Sequence, residues 1–153
     1  MRLALYQPDI PQNLGAAIRL AACFGIDLDV IEPCGFPLTD PSLKRAALDY
    51  GPLAKVKRHA SYAHFQAQSA QVGARLVLVE TDGAAALPDF EFSTGDTLLL
   101  GRESAGSPPE LYATTAASVR IPMAPGARSL NVVVAGAIVL GEAMRQTGAW
   151  RSL

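Results

Sequence analysis

Short apolar runs of β character recur along this chain with helical stretches between them, and that alternation most restricts what it can fold into. Residues 3–6, 27–31, 75–79, 97–100 and 119–123 read as strands, and residues 55–58 as a weaker one. Strands separated by helices cannot close as hairpins, so they pair in parallel, and a parallel sheet must be covered on both faces. The expected fold is therefore α/β: a single-domain parallel sheet with helices on both faces, spanning residues 1–153. Helices are expected over 13–24, capped by Asn13 with Gly25 beyond its end, and from Pro41, capped by Asp40 and stopped at Gly51 and Pro52. Two more are expected over 61–72 and over 130–147, the last closing at Gly148, and 83–88 reads as a loop.

Half of the residues are hydrophobic, so a core can form without a metal or a disulfide. Cys23 and Cys34 make no C-x-x-C pair and read as small buried thiols of a chain kept in a reducing compartment. The opening apolar run is broken by Gln7, Pro8 and Asp9, too early for a signal-peptide core, and the apolar stretch 132–141 falls well short of the roughly 20 residues that span a bilayer. A cytoplasmic location with no membrane contact is expected. The formal charge is −1, so no global field advertises a nucleic acid, and an RNA would have to be met by a local patch. The candidate is the run of Lys44, Arg45, Lys55, Lys57 and Arg58, opposed only by Asp49, which reads either as a solvated face or as a phosphate track. His59 and His64 lack a carboxylate or thiol constellation, and no metal is expected.

Two polar, glycine-bearing loops follow strands late in the chain, residues 101–106 (GRESAG) and 122–131 (PMAPGARSLN). The carboxyl ends of parallel strands are where ligands bind, because loops there leave backbone groups free. Either loop alone could be an ordinary tight turn, and neither matches a dinucleotide or nucleoside-triphosphate fingerprint. A third cluster, NLGAAIR, opens the first helix with Asn13 near its mouth and Arg19 further in. Arg19 could serve a polyanion or simply a surface ion pair.

These clusters, in this order, resemble the SPOUT (SpoU-TrmD) RNA methyltransferases, in particular their short TrmL/YibK-like branch, which methylates the ribose of the tRNA wobble nucleotide. The resemblance covers nearly the whole chain and includes LALYQPDIPQNLGAAIRL, IEPCGFPLTDPSLKRAALDY, LLLGRESAGSPPE and IPMAPGARSLNVVVAGAIVLGEA. It implies a C-terminal deep trefoil knot, S-adenosyl-L-methionine as methyl donor, tRNA as partner, and a homodimer built partly on the first and last helices. Ala135, Gly136, Ala137, Gly141 and Ala143 are small enough for close helix contact, although a core role explains them equally well.

A ribose 2'-hydroxyl attacks poorly until its proton leaves, so such an enzyme needs alignment and help with one proton. By the resemblance, Arg19 matches the family's functional arginine. With a pKa above about 12 a guanidinium is a poor base, and a clamp on the target phosphate suits it better. Glu103 matches the loop glutamate that orients Arg19 or the ribose; Ser129 and Asn131 match the polar pair that positions cofactor and substrate; Asn13 orders the first-helix site. Cofactor contacts are expected at Val79, Gly101, Ile121, Met123, Ser129 and Leu130. Where relatives often carry serine, this chain has Val133, which removes a polar contact to cofactor or RNA and leaves the target nucleotide less defined than the reaction. Methylation of another tRNA or rRNA nucleotide is the alternative within the class, and a non-catalytic RNA- or nucleotide-binding domain the alternative outside it.

Overall fold

The computed structural model describes residues 1–39 and 41–153, apart from the side chains of Ser42 and Lys44. The expected cap at Asp40 and the side chain of Lys44 therefore lie outside the described residues. The elements run β1 (Arg2–Tyr6), α1 (Pro11–Cys23), β2 (Asp27–Ile31), α2 (Pro41–Ala47), β3 (Lys55–His59), α3 (Tyr62–Gln71), β4 (Arg75–Val79), β5 (Ala85–Ala86), β6 (Asp96–Leu100), α4 (Pro109–Thr114), β7 (Ala117–Arg120) and α5 (Val132–Thr147). The strands form one parallel sheet in the order β3-β2-β1-β6-β4-β7-β5.

Alternation along each strand divides the core in two. Leu3, Leu5, Leu28, Val77, Leu98 and Leu100 face one way and pack against Leu14, Ala17 and Ala21 of α1 and Val139, Leu140 and Ala143 of α5. Ala4, Tyr6, Ile31, Leu76, Leu78 and Leu99 face the other way, against Tyr62 and Phe65 of α3 and Leu111 of α4. The central strands read as unbroken apolar runs because both of their faces are covered. At the β2–β3 side of the second face, Arg2 bridges Asp27 and Asp29 at 2.8 Å each, and buried His59 meets Asp29 at 2.6 Å. That histidine is held in the core of the sheet by an acid.

Several expected boundaries move, each for a local reason. α1 starts at Pro11, whose fixed φ suits the first helical position, so Ile10 is the cap residue and Asn13 lies within the first turn rather than at the cap. α2 ends at Ala47, short of Gly51, because Leu48 has φ 50° and the chain tightens there into a 3-10 segment, Leu48–Leu53. β7 begins at Ala117 and ends at Arg120, so Ile121 and Met123 belong to the following loop. The segment 83–88, expected as a loop, holds the two-residue β5 and part of a 3-10 turn, Leu87–Asp89, while α4 is too short to show a helical period. The glycine stops stand as expected: Gly25 and Gly148 have φ 60° and 72°.

Candidate active site

A cavity of about 470 Å³ opens at the carboxyl ends of β4, β6 and β7 and is closed on one side by the first turns of α1 and α5. Its apolar lining comes from Val79, Leu100, Ile121, Leu130, Val132 and Ala135, and its polar lining includes Asn13, Glu80, Glu103, Arg128, Ser129 and Asn131. The two glycine-bearing loops form opposite walls, one continuing β6 and the other continuing β7.

The first loop is narrow by construction. Arg102 and Gly106 pair across it, N–H to O at 3.2 and 3.0 Å, with Gly106 at φ 65°. A Cβ at Gly101 would lie 2.4 Å from Ser107 Oγ and 2.7 Å from Glu80 Oε1, so only glycine lets the wall close here. The loop is then stapled to the segment after β1. Gln7, with φ 45°, turns the chain out of β1 and accepts from Arg102, and Asp9 accepts from Ser104 Oγ.

Across the mouth runs a chain of polar side chains. Glu103 accepts from Asp9 N–H at 3.0 Å and from Asn13 Nδ2 at 3.1 Å. Asn13 Oδ1 accepts in turn from Asn131 Nδ2 at 2.9 Å. Asn131 Oδ1 caps α5, accepting from Val133 N–H at 2.9 Å and Val134 N–H at 3.3 Å. Three loops distant in sequence are thereby fixed to one another. Burial first, and the neighbouring Asp9 carboxyl second, raise the Glu103 pKa above its ordinary value. Asp9 moves the other way, lowered first by its interaction with Glu103 and then, against the cost of burial, by its bonds to Ser104.

The model of the SpoU rRNA Methylase family matches residues 1–141. The chain belongs to that family. A SpoU relative from Beijerinckia indica subsp. indica, named tRNA (cytidine(34)-2'-O)-methyltransferase, is 51% identical over 147 residues, 96% of this chain and 92% of its own. One of the same name from Escherichia coli K12 is 40% identical over 151 residues, 97% of this chain and 94% of its own. Among solved structures, one described as giving structural insights into the 2-OH methylation of C/U34 on tRNA matches with TM-score 0.90 and 44% identity, covering 95% of this chain and 94% of its own. The SpoU methyltransferase AviRb from Streptomyces viridochromogenes, solved in complex with the cofactor AdoMet, matches with TM-score 0.85 and 28% identity, covering 95% of this chain and 60% of its own.

Within this SpoU fold, the residues expected to hold a cofactor, Val79, Gly101, Ile121, Met123, Ser129 and Leu130, all line the cavity, as do Asn13, Glu103 and Asn131. Arg19 does not. It is exposed on α1, its guanidinium 5.2 Å from the centre of the Tyr50 ring, on the side of the helix that faces the 3-10 segment. The expectation for Val133 also changes. Its side chain is 9% exposed and belongs to the core beneath α5, so a hydroxyl at that position would face the core rather than the cavity. Of the basic run, Arg45, Lys55, Lys57 and Arg58 are exposed, with Arg58 held by Glu32 at 2.7 Å.

Sequence reasoning passed over Glu80, Arg102 and Arg128, which line the same cavity. The two arginines stand inside the loops already singled out, and Glu80 follows directly on a central strand, the position where a parallel sheet presents side chains to a ligand. Asp9 was legible only as a break in an apolar run; its part in holding Glu103 and Ser104 needed the fold.

Proposed function

We propose that this protein is an S-adenosyl-L-methionine-dependent tRNA 2'-O-methyltransferase that modifies the ribose of the wobble nucleotide 34, cytidine or modified uridine, with leucine tRNAs as its targets. The observation that carries the reading is the single cavity between the post-strand loops, which gathers the cofactor residues and the Glu103–Asn13–Asn131 chain in one place. The names of its relatives supply the nucleotide.

The cavity suits the cofactor chemically. Val79, Leu100 and Ile121 offer flat apolar walls to a purine, the missing Cβ at Gly101 keeps the wall thin, and buried Ser107 Oγ has no partner among the described residues. When bound, S-adenosylmethionine supplies a methyl group already activated on a sulfonium. What remains for the chain is to place the 2'-hydroxyl in line and ease the loss of its proton. The carboxylate–amide chain at the mouth holds Glu103 and Asn13 rigidly beside the methyl-donor cavity, so an incoming ribose meets groups that need not reorganise. Ser129, on the exposed loop opposite, would complete the contact with the substrate.

Arg19 acts, in this reading, as a clamp on RNA phosphate. Six residues beyond Asn13 on α1, it lies about 9 Å further along the helix axis, a separation suited to the backbone beside the target rather than the reacting oxygen. Arg19→Ala should leave S-adenosylhomocysteine binding intact while methyl transfer to tRNA falls by orders of magnitude, and Arg19→Lys should recover little because the bidentate fork is lost. Wild-type transfer by Arg19→Ala would remove the clamp from the mechanism.

The proposal includes a cytoplasmic homodimer and the knotted threading of the segment after β7. No described helix is long and apolar enough to cross a membrane. Val134 and Ile138 stand 47% and 42% exposed on α5, with Ile10, Leu130 and Trp150 exposed nearby in the fold or the chain, and this apolar surface supports a shared face. The small residues of α5 contribute less than expected: Gly136 packs on Leu100, Ala143 is fully buried, and Trp150 covers Gly141. Mapping ribose methylation in tRNA from cells with and without the gene tests the whole reading. Loss of the methyl at position 34 is the expected result; an unchanged position 34 with loss elsewhere in tRNA or rRNA would sink the wobble assignment.

A further inference from the structure

β4 ends at Val79, and Glu80 is the first residue beyond it. Because β4 lies between β6 and β7, Glu80 stands between the two strands whose loops wall the cavity. Its backbone is fixed on one side, where its N–H donates to Val119 O at 3.0 Å. Its carboxylate leans to the other, over the first glycine loop: Oε1 would be 2.7 Å from a Cβ on Gly101 and 3.7 Å from one on Gly106. Oε2 accepts from Thr81 N–H at 3.3 Å, and Oε1 has no hydrogen-bond donor among the described residues. Glu103, the other carboxylate of the lining, is already engaged by Asp9 and Asn13. A half-buried carboxylate in the lining beside Val79 and Leu100, with one oxygen free of protein donors, is open to donors brought by a ligand in place of water.

We propose that Glu80 is the residue that reads the ribose of the cofactor, taking hydrogen bonds from its 2' and 3' hydroxyls. The inference rests on the cofactor reading above and adds to it a positioning residue. A vicinal diol presents two O–H donors on one side, and a carboxylate is the acceptor that can receive both. The choice of ribose over the ligand's cationic groups follows from position. The purine belongs between the apolar walls at the strand ends, Glu80 is the next residue after Val79, and the ribose is the part of the ligand joined directly to the purine. The ammonium lies at the far end of the molecule. Anchoring the ribose fixes the angle at which the methyl is presented to the mouth of the cavity, where Glu103 and Asn13 wait.

The test uses the full chain and three ligands, S-adenosylhomocysteine, 5'-methylthioadenosine and S-adenosylmethionine, measured by calorimetry on the wild type and on Glu80→Gln. The substitution keeps the shape and an oxygen for Thr81 N–H, so its melting temperature should match the wild type. Loss of a pair of charge-assisted bonds should weaken all three ligands by the same factor, about tenfold or more. Methylthioadenosine carries the diol without the amino acid, and it decides the matter. A loss confined to the two ligands with an amino-acid tail would assign Glu80 to the ammonium, a loss confined to S-adenosylmethionine would assign it to the sulfonium, and unchanged affinities would leave it with no contact; each overturns the inference. A wild-type chain that binds none of the three would overturn the cofactor reading itself, and this inference with it.

Discussion

Asn131 does two separable jobs, and two substitutions at that position should pull them apart. Its Oδ1 caps α5 through Val133 and Val134 N–H, while its Nδ2 donates to Asn13 and so ties the loop after β7 to the chain that ends at Glu103. Asn131→Ala removes both. The lost cap costs about 1 kcal/mol and the exposed amide bond roughly 0.5 kcal/mol more. For a chain of 153 residues a loss near 1.5 kcal/mol lowers the melting temperature by about 3–6 °C. Asn131→Asp keeps the cap, since aspartate serves as well as asparagine and its charge suits the helix N-terminus. It loses the donor. Asn13 then meets acceptors on both sides, Glu103 and the new carboxylate, and whichever way its amide is turned one contact becomes acceptor against acceptor. Differential scanning calorimetry and single-turnover methyl transfer to tRNA should therefore diverge. Asn131→Asp is expected to melt within about 2 °C of the wild type yet transfer methyl at least about tenfold more slowly, whereas Asn131→Ala loses both. If Asn131→Asp were as unstable as Asn131→Ala, the cap would not be its structural role; if it transferred methyl at the wild-type rate, the chain across the mouth would have no part in positioning.

Gly101→Ala should weaken S-adenosylhomocysteine binding at least about tenfold, because the new Cβ displaces the Glu80 carboxylate and the Ser107 hydroxyl and lies 3.0 Å from the backbone carbon of Gly106; binding within threefold of the wild type would show that the wall is not there. Titration followed by carboxyl carbon resonances should place Glu103 above the ordinary carboxylate range and Asp9 below it. The Glu103 carboxyl is held neutral more readily in the folded chain than in the unfolded one, so its contribution to stability is greatest at low pH and falls as pH rises through its raised value, while that of Asp9 has the opposite sign and is lost as pH falls through its lowered value. Since burial is the first cause for Glu103, Asp9→Asn should leave most of its elevation in place, and a return to the ordinary value in that variant would make the pair, not burial, the cause.

The sheet was legible because its strands are short, apolar and separated by helical stretches, a pattern with few solutions. What the pattern could not show was order. Nothing in residues 97–100 says that they pair with β1 on one side and β4 on the other, and the pairing with β1, made between residues 95 apart such as Arg2 and Thr97, is what brings Gly101 and Glu103 beside Asn13. Boundaries failed where backbone geometry outweighed residue preference. Asn13 has the composition of a cap, but Pro11 begins the helix two residues sooner and turns Asn13 from a capping residue into a bridge. Of the residues expected to hold the cofactor, Gly101, Met123, Ser129 and Leu130 stand in the loops that the strand-end argument singles out, whereas Val79 and Ile121 were reachable only through the resemblance, since both look like strand residues by every local measure.

Arg19 illustrates the limit of carrying a residue's role by motif alone. The motif that names it also names Asn13, and the two share a helix, yet the helix separates what the motif joins: Asn13 enters the cavity and Arg19 rests against Tyr50 outside its lining. The polar chain at the mouth is complete without Arg19, because Glu103 is satisfied by Asp9 and Asn13 rather than by a guanidinium. Glu103 therefore does not orient Arg19 within this chain, and of the two roles the resemblance implied for it, the ribose is the one this geometry leaves open. A guanidinium stacked on an aromatic ring keeps its N–H edge free to meet a planar or tetrahedral oxyanion, and it loses little freedom when it does so. That is the arrangement a phosphate clamp needs, and it is why Arg19 and the cofactor cavity should fail independently when each is altered.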